Sequence, residues 1–308
     1  MKLVAGIDIG GTNSRFGLVD LQGEILVRDS ISTTDFPDAK KLADTIAEKI
    51  AALLPNGSEL SGVGIGAPNG NFFKGTIEFA PNLQWKGVVP LAKYFSGAMN
   101  CKAILTNDAK AAALGEMLFG GAKGMKDFIF ITLGTGLGSG IVVNGELVYG
   151  HDGFAGEVGH VIMVPGGRLC GCGRSGCLEK YCSATGIVTT YREILPGIGK
   201  KIEGEIDSKY IYERAQQGEQ TAIDCFNQTG EMLGLALANS VTYTRPEAIF
   251  LFGGLAQAGD FIFKPVKESF EKNLLEIYKG KVKILPSMLK EDDAAILGAA
   301  SLIWKEIK

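Results

Sequence analysis

The stretch Ile7-Asp8-Ile9-Gly10-Gly11-Thr12-Asn13-Ser14 decides the fold, because a similar stretch, Ile131-Thr132-Leu133-Gly134-Thr135-Gly136-Leu137-Gly138, recurs 124 residues later. At the same offset, Leu18-Val19-Asp20 aligns with Val142-Val143-Asn144. Both units predict a strand, a glycine turn, a second strand and a tight turn. Coincidence in a glycine-rich chain is one explanation, and a duplicated domain is the other. Two such hairpins facing a cleft would offer two sets of backbone N–H groups to a polyphosphate.

The composition is that of a soluble globular protein. The chain has 308 residues, 46% hydrophobic and 21% charged, which suits two domains or two lobes and excludes a disordered or fibrous protein. The net charge is -3, so we expect no nucleic-acid partner. Asp8 interrupts the first apolar run, and the uncharged stretch 128–145 contains five glycines. We therefore expect no export signal, no membrane partner and a cytoplasmic location.

Strand and helix patterns alternate along the chain, which is typical of an α/β protein with layered sheets. The predicted strands are 4–9, 14–20, 25–32, 63–66, 103–106, 128–133, 140–143, 248–252 and 282–285, and the clearest helices are 38–54, 109–119 and 293–304.

The first glycine turn is a candidate anion site. Gly10 and Gly11 let the backbone approach a ligand, Thr12 adds a hydroxyl donor, and Asp8 at the strand end could hold Mg²⁺ through water. The spacing is not that of a Walker loop, and a strand follows where a dinucleotide fingerprint needs a helix. An ordinary β-turn is the alternative.

The second glycine turn is richer. Four glycines alternate in Gly134-Thr135-Gly136-Leu137-Gly138-Ser139-Gly140, which leaves the backbone almost without side chains, as contact with phosphate oxygens would require. A bulged hairpin is the alternative. Gly253-Gly254, after the strand 249–252, is a third and weaker turn of this kind that could pass under a nucleoside.

Asn107-Asp108 follows a predicted strand and opens a helix. Asn and Asp are ordinary N-cap residues, so a purely structural role is one interpretation. In a phosphotransfer cleft, an aspartate here could instead accept the proton of an attacking hydroxyl.

The strongest metal signal is the set His160, Cys170, Cys172 and Cys177. Three cysteines and a histidine fit a closed tetrahedral zinc site, which has no open position and is therefore structural. Glu157 and Glu179 stand close to these ligands in sequence, so the metal would also fix both carboxylates.

On these residues the chain resembles the ROK family of bacterial sugar kinases, and within it the glucokinases. The resemblance covers essentially the whole length. It is carried by the motifs Asp8-Ile-Gly-Gly-Thr12, Ala80-Pro-Asn-Leu83, Asn107-Asp108, Gly134-Thr-Gly-Leu-Gly138, Glu157-Val-Gly-His160 and Cys170-Gly-Cys-Gly-Arg-Ser-Gly-Cys-Leu-Glu179.

The resemblance implies a duplicated actin-like, ribonuclease-H-like α/β fold with two lobes and a cleft between them. We expect a small lobe of residues 1–107 with the C-terminal helix 293–308, and a large lobe of residues 108–292 with the zinc-binding loop. The resemblance also implies ATP, Mg²⁺, a structural Zn²⁺ and a homodimer. Asp108 matches the general base. The sugar would contact Asn69, Asn82, Asn107, Asp108, Glu157, His160 and Glu179. The nucleotide would contact Asp8, Gly10, Gly11, Thr12, Asn13, Gly134, Thr135, Gly136, Gly253 and Gly254.

Two positions depart from the family pattern. Asn69 stands where the family often has glycine, and it is either an extra sugar contact or a turn residue in a left-handed conformation. Lys110 replaces a frequent asparagine two residues after Asp108. Both departures leave the preferred sugar open.

The leading hypothesis is therefore ATP-dependent phosphorylation of a hexose, glucose to glucose 6-phosphate. Fructose, mannose and N-acetylated hexosamines are the alternative substrates. A sugar-responsive repressor or other non-catalytic regulator is the alternative from another class. We do not expect a repressor, because the first strand begins at Leu3 and leaves no room before it for the helix-turn-helix segment of the family's repressors. We do not expect another non-catalytic regulator either, because Asp108 and both hairpins are intact.

Overall fold

The computed structural model describes residues 1–195 and 206–307. In this part of the chain the strands are β1 (Lys2–Ile9), β2 (Asn13–Val19), β3 (Ile25–Ser32), β4 (Glu59–Ala67), β5 (Gly70–Asn71), β6 (Thr76–Glu78), β7 (Val88–Val89), β8 (Ala103–Asn107), β9 (Phe128–Leu133), β10 (Leu137–Val143), β11 (Glu146–Leu147), β12 (Ala248–Phe252) and β13 (Lys283–Pro286). The α-helices are α1 (Ala39–Leu53), α2 (Leu91–Met99), α3 (Asp108–Phe119), α4 (Glu179–Cys182), α5 (Ala184–Ile194), α6 (Ser208–Gln216), α7 (Gln220–Thr244), α8 (Asp260–Asn273) and α9 (Glu291–Ile307).

Two five-stranded sheets repeat one topology. The first has the order β3-β2-β1-β4-β8 and the second the order β11-β10-β9-β12-β13. In each, the first three strands of the unit are antiparallel neighbours and the last two are added in parallel. The same order and directions in both sheets confirm the duplication predicted from the glycine hairpins.

The two hairpins differ in length by one residue. Ile9 pairs with Ser14 across the first turn, whereas Leu133 pairs with Leu137 across the second. The predicted alignment of Leu18-Val19-Asp20 with Val142-Val143-Asn144 is therefore wrong by one position, because Val19 and Val142 are the structural counterparts. The constant offset holds only up to the turn.

Local sequence explains the helix boundaries. Asp38 caps α1 by accepting a hydrogen bond from the Lys40 N–H at 2.8 Å, and apolar residues repeat along its buried face at Leu42, Ile46 and Ile50. An acidic first turn begins α9 and matches the positive end of the helix dipole.

The helices α3 and α9 lie between the two sheets and pack against each other. Helix α9, at the end of the chain, packs on β1 and β4 of the first sheet, while α3 packs on β9 and β10 of the second. Three apolar clusters result, one in each half and one where α3 and α9 meet.

The predicted lobes include residues outside the described part of the chain, namely 196–205 in the range 108–292 and residue 308 in the range 293–308. Within the described part, no helix is both long enough and apolar enough to cross a membrane.

Candidate active site between two glycine hairpins

The carboxyl ends of three parallel strands bring two aspartates together. Asp8 on β1 is paired in register with Gly66 on β4, and the next residue of β4, Ala67, is paired with Asn107 on β8. Gly66 separates the acids without filling the space, because a methyl group added there would lie 3.9 Å from Asp8 Oδ1 and 3.6 Å from Asp108 Cα. The sequence alone did not show that Asp8 and Asp108 are neighbours.

The carboxyl groups of Asp8 and Asp108 both have pKa values above the usual range for aspartate. Burial, with a smaller contribution from the Asp108 charge, raises the pKa of Asp8 from 3.8 to about 7, against the opposing effect of Arg15. Asp108 is exposed to solvent as a residue. Desolvation of its carboxyl group by the neighbouring protein still raises the pKa of Asp108, although the backbone N–H of Ala109 lowers it. A carboxylate with a raised pKa is a stronger base.

Asn107 and Asp108 share the first turn of α3. The Asn107 side chain is the N-cap and accepts hydrogen bonds from the N–H groups of Ala109 and Lys110 at 3.0 and 3.4 Å. Asp108 Oδ1 also accepts from the Ala109 N–H, at 2.8 Å. The capping role is thus Asn107's, and Asp108 is the first helical residue.

The first hairpin is held from the side of β3. Its turn is closed by the Gly10 N–H donating to the Asn13 carbonyl at 3.0 Å, and the Thr33 N–H donates to the Thr12 carbonyl at 2.7 Å. Thr12 and Asn13 are exposed. Gly11 lies against the backbone of Asn82, because a methyl group on Gly11 would be 2.6 Å from the Asn82 carbonyl oxygen. The structure therefore places Asn82 beside the first hairpin.

The second hairpin is held by residues at the start of α4 and α5. The Ala184 N–H donates to the Gly134 carbonyl at 2.8 Å, and Thr185 Oγ1 donates to the Thr135 carbonyl at 2.8 Å. Glu179 Oε2 accepts from the Leu137 N–H at 3.1 Å. These three bonds come from the start of α4 and α5, so this nearly side-chain-free turn has a fixed shape.

Only part of the second glycine run forms the turn. Strand β10 begins at Leu137, not at the predicted Gly140, so Gly138 and Gly140 lie in a strand. A methyl group on Gly138 would be 2.7 Å from the Cβ of Ala109, and one on Gly140 would be 2.4 Å from the Cβ of Ala113. These two glycines let α3 approach the sheet. Of the turn glycines, Gly134 faces open space, whereas a methyl group on Gly136 would be 2.5 Å from Glu179 Oε2.

The third turn lies next to the second hairpin. The Leu255 N–H donates to the Leu133 carbonyl at 3.2 Å. Gly253 has a φ of 99°, and a methyl group added to it would be 2.8 Å from that same oxygen. Gly254 is exposed. The residues predicted to meet the nucleotide in the second half of the chain are therefore adjacent in space.

The four predicted metal ligands converge. The ligand atoms of His160, Cys170, Cys172 and Cys177 all lie within 4.8 Å of one another. The Cys172 and Cys177 sulfurs are 3.6 Å apart, and Cys170 Sγ is 3.7 Å from His160 Nδ1. Zinc–sulfur bonds of about 2.3 Å in a tetrahedron place ligand atoms about 3.7 Å apart, so the donor set and its spacing fit Zn²⁺.

A backbone hydrogen bond favours the thiolate form of Cys172, the form that binds a metal. The N–H of Arg174 is the main cause that lowers the pKa of Cys172 to about 6. The Arg174 guanidinium also donates to the His160 carbonyl at 2.7 Å.

Two of the predicted sugar residues, Glu157 and Glu179, lie in the segments that carry the candidate metal ligands. Glu157 is exposed just before the short 3₁₀ turn that contains His160. Glu179 begins α4 and is half-buried, with Oε1 3.8 Å from Cys170 Sγ. Glu179 thus joins the cysteine cluster to the second hairpin, a contact the sequence did not reveal.

Asn69 adopts the left-handed conformation, with φ of 50°. Its side-chain amide donates to the carbonyls of Glu78 and Phe79 at 3.0 and 3.3 Å. The turn interpretation of Asn69 is therefore the one seen here, and a sugar contact would have to come from its Oδ1.

Several residues near the site escaped sequence reasoning. Thr185 is an ordinary helix threonine in sequence, Asn71 carries no motif, and Ser139 lies within the second glycine run without an assigned role. Lys110 did offer a signal as a departure from the family pattern, and the structure buries it to 1% exposure.

Residues 4–306 match the ROK family. The chain belongs to the ROK family.

Among its relatives, a glucokinase of Streptomyces coelicolor is 36% identical, with 98% of each chain covered, and a glucokinase of Thermotoga maritima is 35% identical, with 100% of this chain and 98% of the relative covered. A crystal structure of a ROK family glucokinase from Streptomyces griseus in complex with glucose and AMPPNP superimposes with a TM-score of 0.80. It is 35% identical and the match covers 97% of this chain and 98% of that one. The fold is therefore the two-lobed, actin-like fold of ROK sugar kinases, as the resemblance implied.

Proposed function

We propose that this protein is an ATP-dependent hexose kinase that converts glucose to glucose 6-phosphate. The observation that carries the proposal is the Asp8–Asp108 pair at the strand ends of one half, beside one glycine hairpin, with a second hairpin at the equivalent place in the other half. The glucokinase relatives and the glucose- and AMPPNP-bound neighbour support the same substrates.

In this mechanism Asp108 is the general base. Its carboxylate takes the proton of the sugar 6-hydroxyl as the oxygen attacks the γ-phosphorus of ATP, and the bond to the β–γ bridging oxygen breaks to release ADP. The desolvation that raises the pKa of Asp108 makes it a better proton acceptor. Asn107, fixed as the cap of α3, orients this turn.

The two hairpins would hold the phosphates. The N–H groups of Gly10 and Gly134 close their own turns, so the phosphate contacts are assigned to the other N–H groups of residues 10–13 and 134–136 and to the hydroxyls of the exposed Thr12 and Thr135. Asp8 is suited to hold a water-bound Mg²⁺, which would neutralise charge on the phosphates when bound. Binding a cation here would also stabilise the ionised form of Asp8 against its burial.

The sugar contacts are proposed on both sides of the cleft. Asn69, Asn82, Asn107 and Asp108 would meet it from one side, and Glu157, His160 and Glu179 from the other. A structural Zn²⁺ held by His160, Cys170, Cys172 and Cys177 would fix the second group. Closure of two lobes around the sugar would exclude water, which otherwise competes for the phosphoryl group.

We divide the lobes as residues 1–107 with 293–308 and residues 108–292, which agrees with the packing of α9 on the first sheet and α3 on the second. We also propose a homodimer and a cytoplasmic location. An apolar groove of about 630 Å³ beside Glu157, with Val161 and the largely exposed Tyr243 on its wall, is a surface suited to a second copy.

The test is a coupled ADP-release assay with the purified protein, ATP and a panel of glucose, fructose, mannose and N-acetylated hexosamines. The proposal expects the highest kcat/KM with glucose. A preference for another hexose would change the proposed substrate and leave the proposed kinase activity in place. Tight sugar binding without ADP release from any sugar would favour the non-catalytic regulator.

A further inference from the structure

The segment that leads into Glu157 is held by polar side chains from three separate elements. We call residues 150–157 the Glu157 loop. Asn71 from β5, Lys110 from α3 and Ser139 from β10 bind its carbonyl groups, and all three side chains belong to buried residues. We call these three residues the loop clamp.

Lys110 is the least expected member. Its ammonium group donates to the Gly153 carbonyl at 3.0 Å and lies 5.9 Å from the centre of the Tyr149 ring. The acidic groups that act on its charge are Glu157 and Asp152, both on the Glu157 loop. A buried ammonium is costly unless it is hydrogen-bonded, so this contact matters for the position of the loop.

Asn71 holds the neighbouring peptide from the other half of the molecule. Its Nδ2 donates to the Asp152 carbonyl at 2.8 Å. Its Oδ1 accepts from the N–H groups of Phe73 and Lys74 at 3.1 and 3.2 Å, which fixes the orientation of the amide. Two residues before Asn71 in the chain is Asn69, a proposed sugar contact.

Ser139 completes the clamp beside Glu157 itself. Its hydroxyl donates to the Gly156 carbonyl and accepts from the Val158 N–H at 3.2 Å. The peptides on both sides of Glu157 are therefore fixed, while its side chain stays exposed. Stacking of Phe72 on Tyr149, with ring centres 4.1 Å apart, holds the entry to the loop.

We propose that Lys110 is a positioning residue for sugar selection, acting through the Gly153 carbonyl on the Glu157 loop and so on the Glu157 carboxylate. The inference rests on the proposed hexose kinase function. Lys110 has no contact with the phosphate hairpins among its hydrogen bonds, so its influence is on sugar binding and not on ATP binding. Asn71 acts on the same loop from the side that carries Asn69.

The test combines steady-state kinetics with hydrogen–deuterium exchange. Lys110→Met keeps the length and removes the donor. We expect the KM for glucose to rise about 10-fold or more with kcat changed less than about 3-fold and the KM for ATP unchanged, on the scale of losing a hydrogen bond from a charged donor. In the Lys110→Met, Glu157→Gln double variant the two effects on KM should be smaller than additive, because both act through one carboxylate. The matched control is Lys93→Met, on the exposed side of α2, with wild-type kinetics.

A parallel measurement is independent of kinase activity. Without substrates, the amides of residues 150–157 should exchange faster in Lys110→Met than in the wild type, while those of 134–137 stay unchanged. If Lys110→Met does not fold, Asn71→Asp serves instead, since it keeps the acceptor oxygen and loses the donor to Asp152. An unchanged KM for glucose, equal losses in both substrates, or additive effects with Glu157→Gln would overturn the proposal. Absence of hexose phosphorylation in the wild type would instead contradict the proposed function, whatever the exchange result.

Discussion

The two glycine hairpins occupy equivalent places in a duplicated fold, but the strand ends beside them carry different chemistry. The counterpart of Asp8 is Thr132, whose hydroxyl accepts from the Gly138 N–H at 3.0 Å. The counterpart of Gly66 is Phe252, whose ring stacks on Phe130. The first half keeps an open space with carboxylates, and the second half fills the same space with neutral side chains.

The supports of the hairpins differ as well. The first is joined to Thr33, just after β3, whereas the second is joined to Glu179, Ala184 and Thr185, directly after the cysteine cluster. Duplication thus supplied two glycine turns at equivalent places. In the proposed function both turns would bind phosphates, with acid–base chemistry in one half and a metal-anchored support in the other.

The largest expected effect comes from removing the proton acceptor of the first half. Asp108→Asn keeps the first turn of α3 and removes the proton acceptor, so we expect kcat to fall by about 10²-fold or more with glucose binding largely retained. Thr132→Val, in the other half, should lower kcat by far less. Equal losses in the two variants, or near-normal turnover of Asp108→Asn, would contradict the division of roles.

Loss of the metal cluster should act on both substrates. Elemental analysis should find about one zinc per chain, and Cys172→Ser should lower that content. Because Glu179 touches both Cys170 and the second hairpin, we expect the KM for ATP as well as for glucose to rise, each by about 10-fold. Cys101→Ser, a thiol outside the cluster, is the control. A rise confined to glucose would remove Glu179 as the link.

A smaller change isolates the support of the second hairpin. Thr185→Val removes the hydrogen bond to the Thr135 carbonyl and keeps the shape of the side chain. One hydrogen bond of this kind corresponds to about a 2- to 10-fold rise in the KM for ATP. Thr189→Val, one turn further along α5, should leave the KM unchanged. The same rise in both variants would indicate a general effect on the helix.

The last expected effect concerns stability, and not catalysis, in the absence of Mg²⁺ and nucleotide. Burial raises the pKa of Asp8 to about 7, so between pH 4 and pH 7 the folded protein binds more protons than the unfolded chain. Stability contributed by protonated Asp8 is therefore present at low pH and lost as pH rises through 7. Denaturant titrations should show Asp8→Asn more stable relative to wild type at pH 8 than at pH 5, by about 2 kcal/mol. Parallel pH curves for the two proteins would argue against the shift.

Much of this arrangement could be predicted from sequence because it is local. Strand–turn–strand patterns recover the duplication, and the spacing of His160 and the cysteines recovers their convergence. The register beyond the second turn could not be recovered, since a three-residue turn replaces a four-residue one and both consist largely of glycine and threonine.

Other features depend on packing between distant elements. The glycines at 138 and 140 have the same sequence pattern as those at 134 and 136, but they serve the approach of α3 and not a ligand. The raised pKa of Asp8 arises mainly from burial in the fold, with a smaller contribution from Asp108, one hundred residues away in sequence. Lys110 stood out in sequence as a departure from the family pattern, yet only the fold shows that it reaches Gly153.

In the proposed complex both hairpins face one nucleotide, with Asp108 between them. Hydrogen–deuterium exchange of Asp108→Asn, bound to glucose, can be measured with and without a non-hydrolysable ATP analogue. We expect slower exchange on nucleotide binding at residues 10–13 and at residues 134–137. Protection of only one hairpin, or of neither, would contradict the proposed complex.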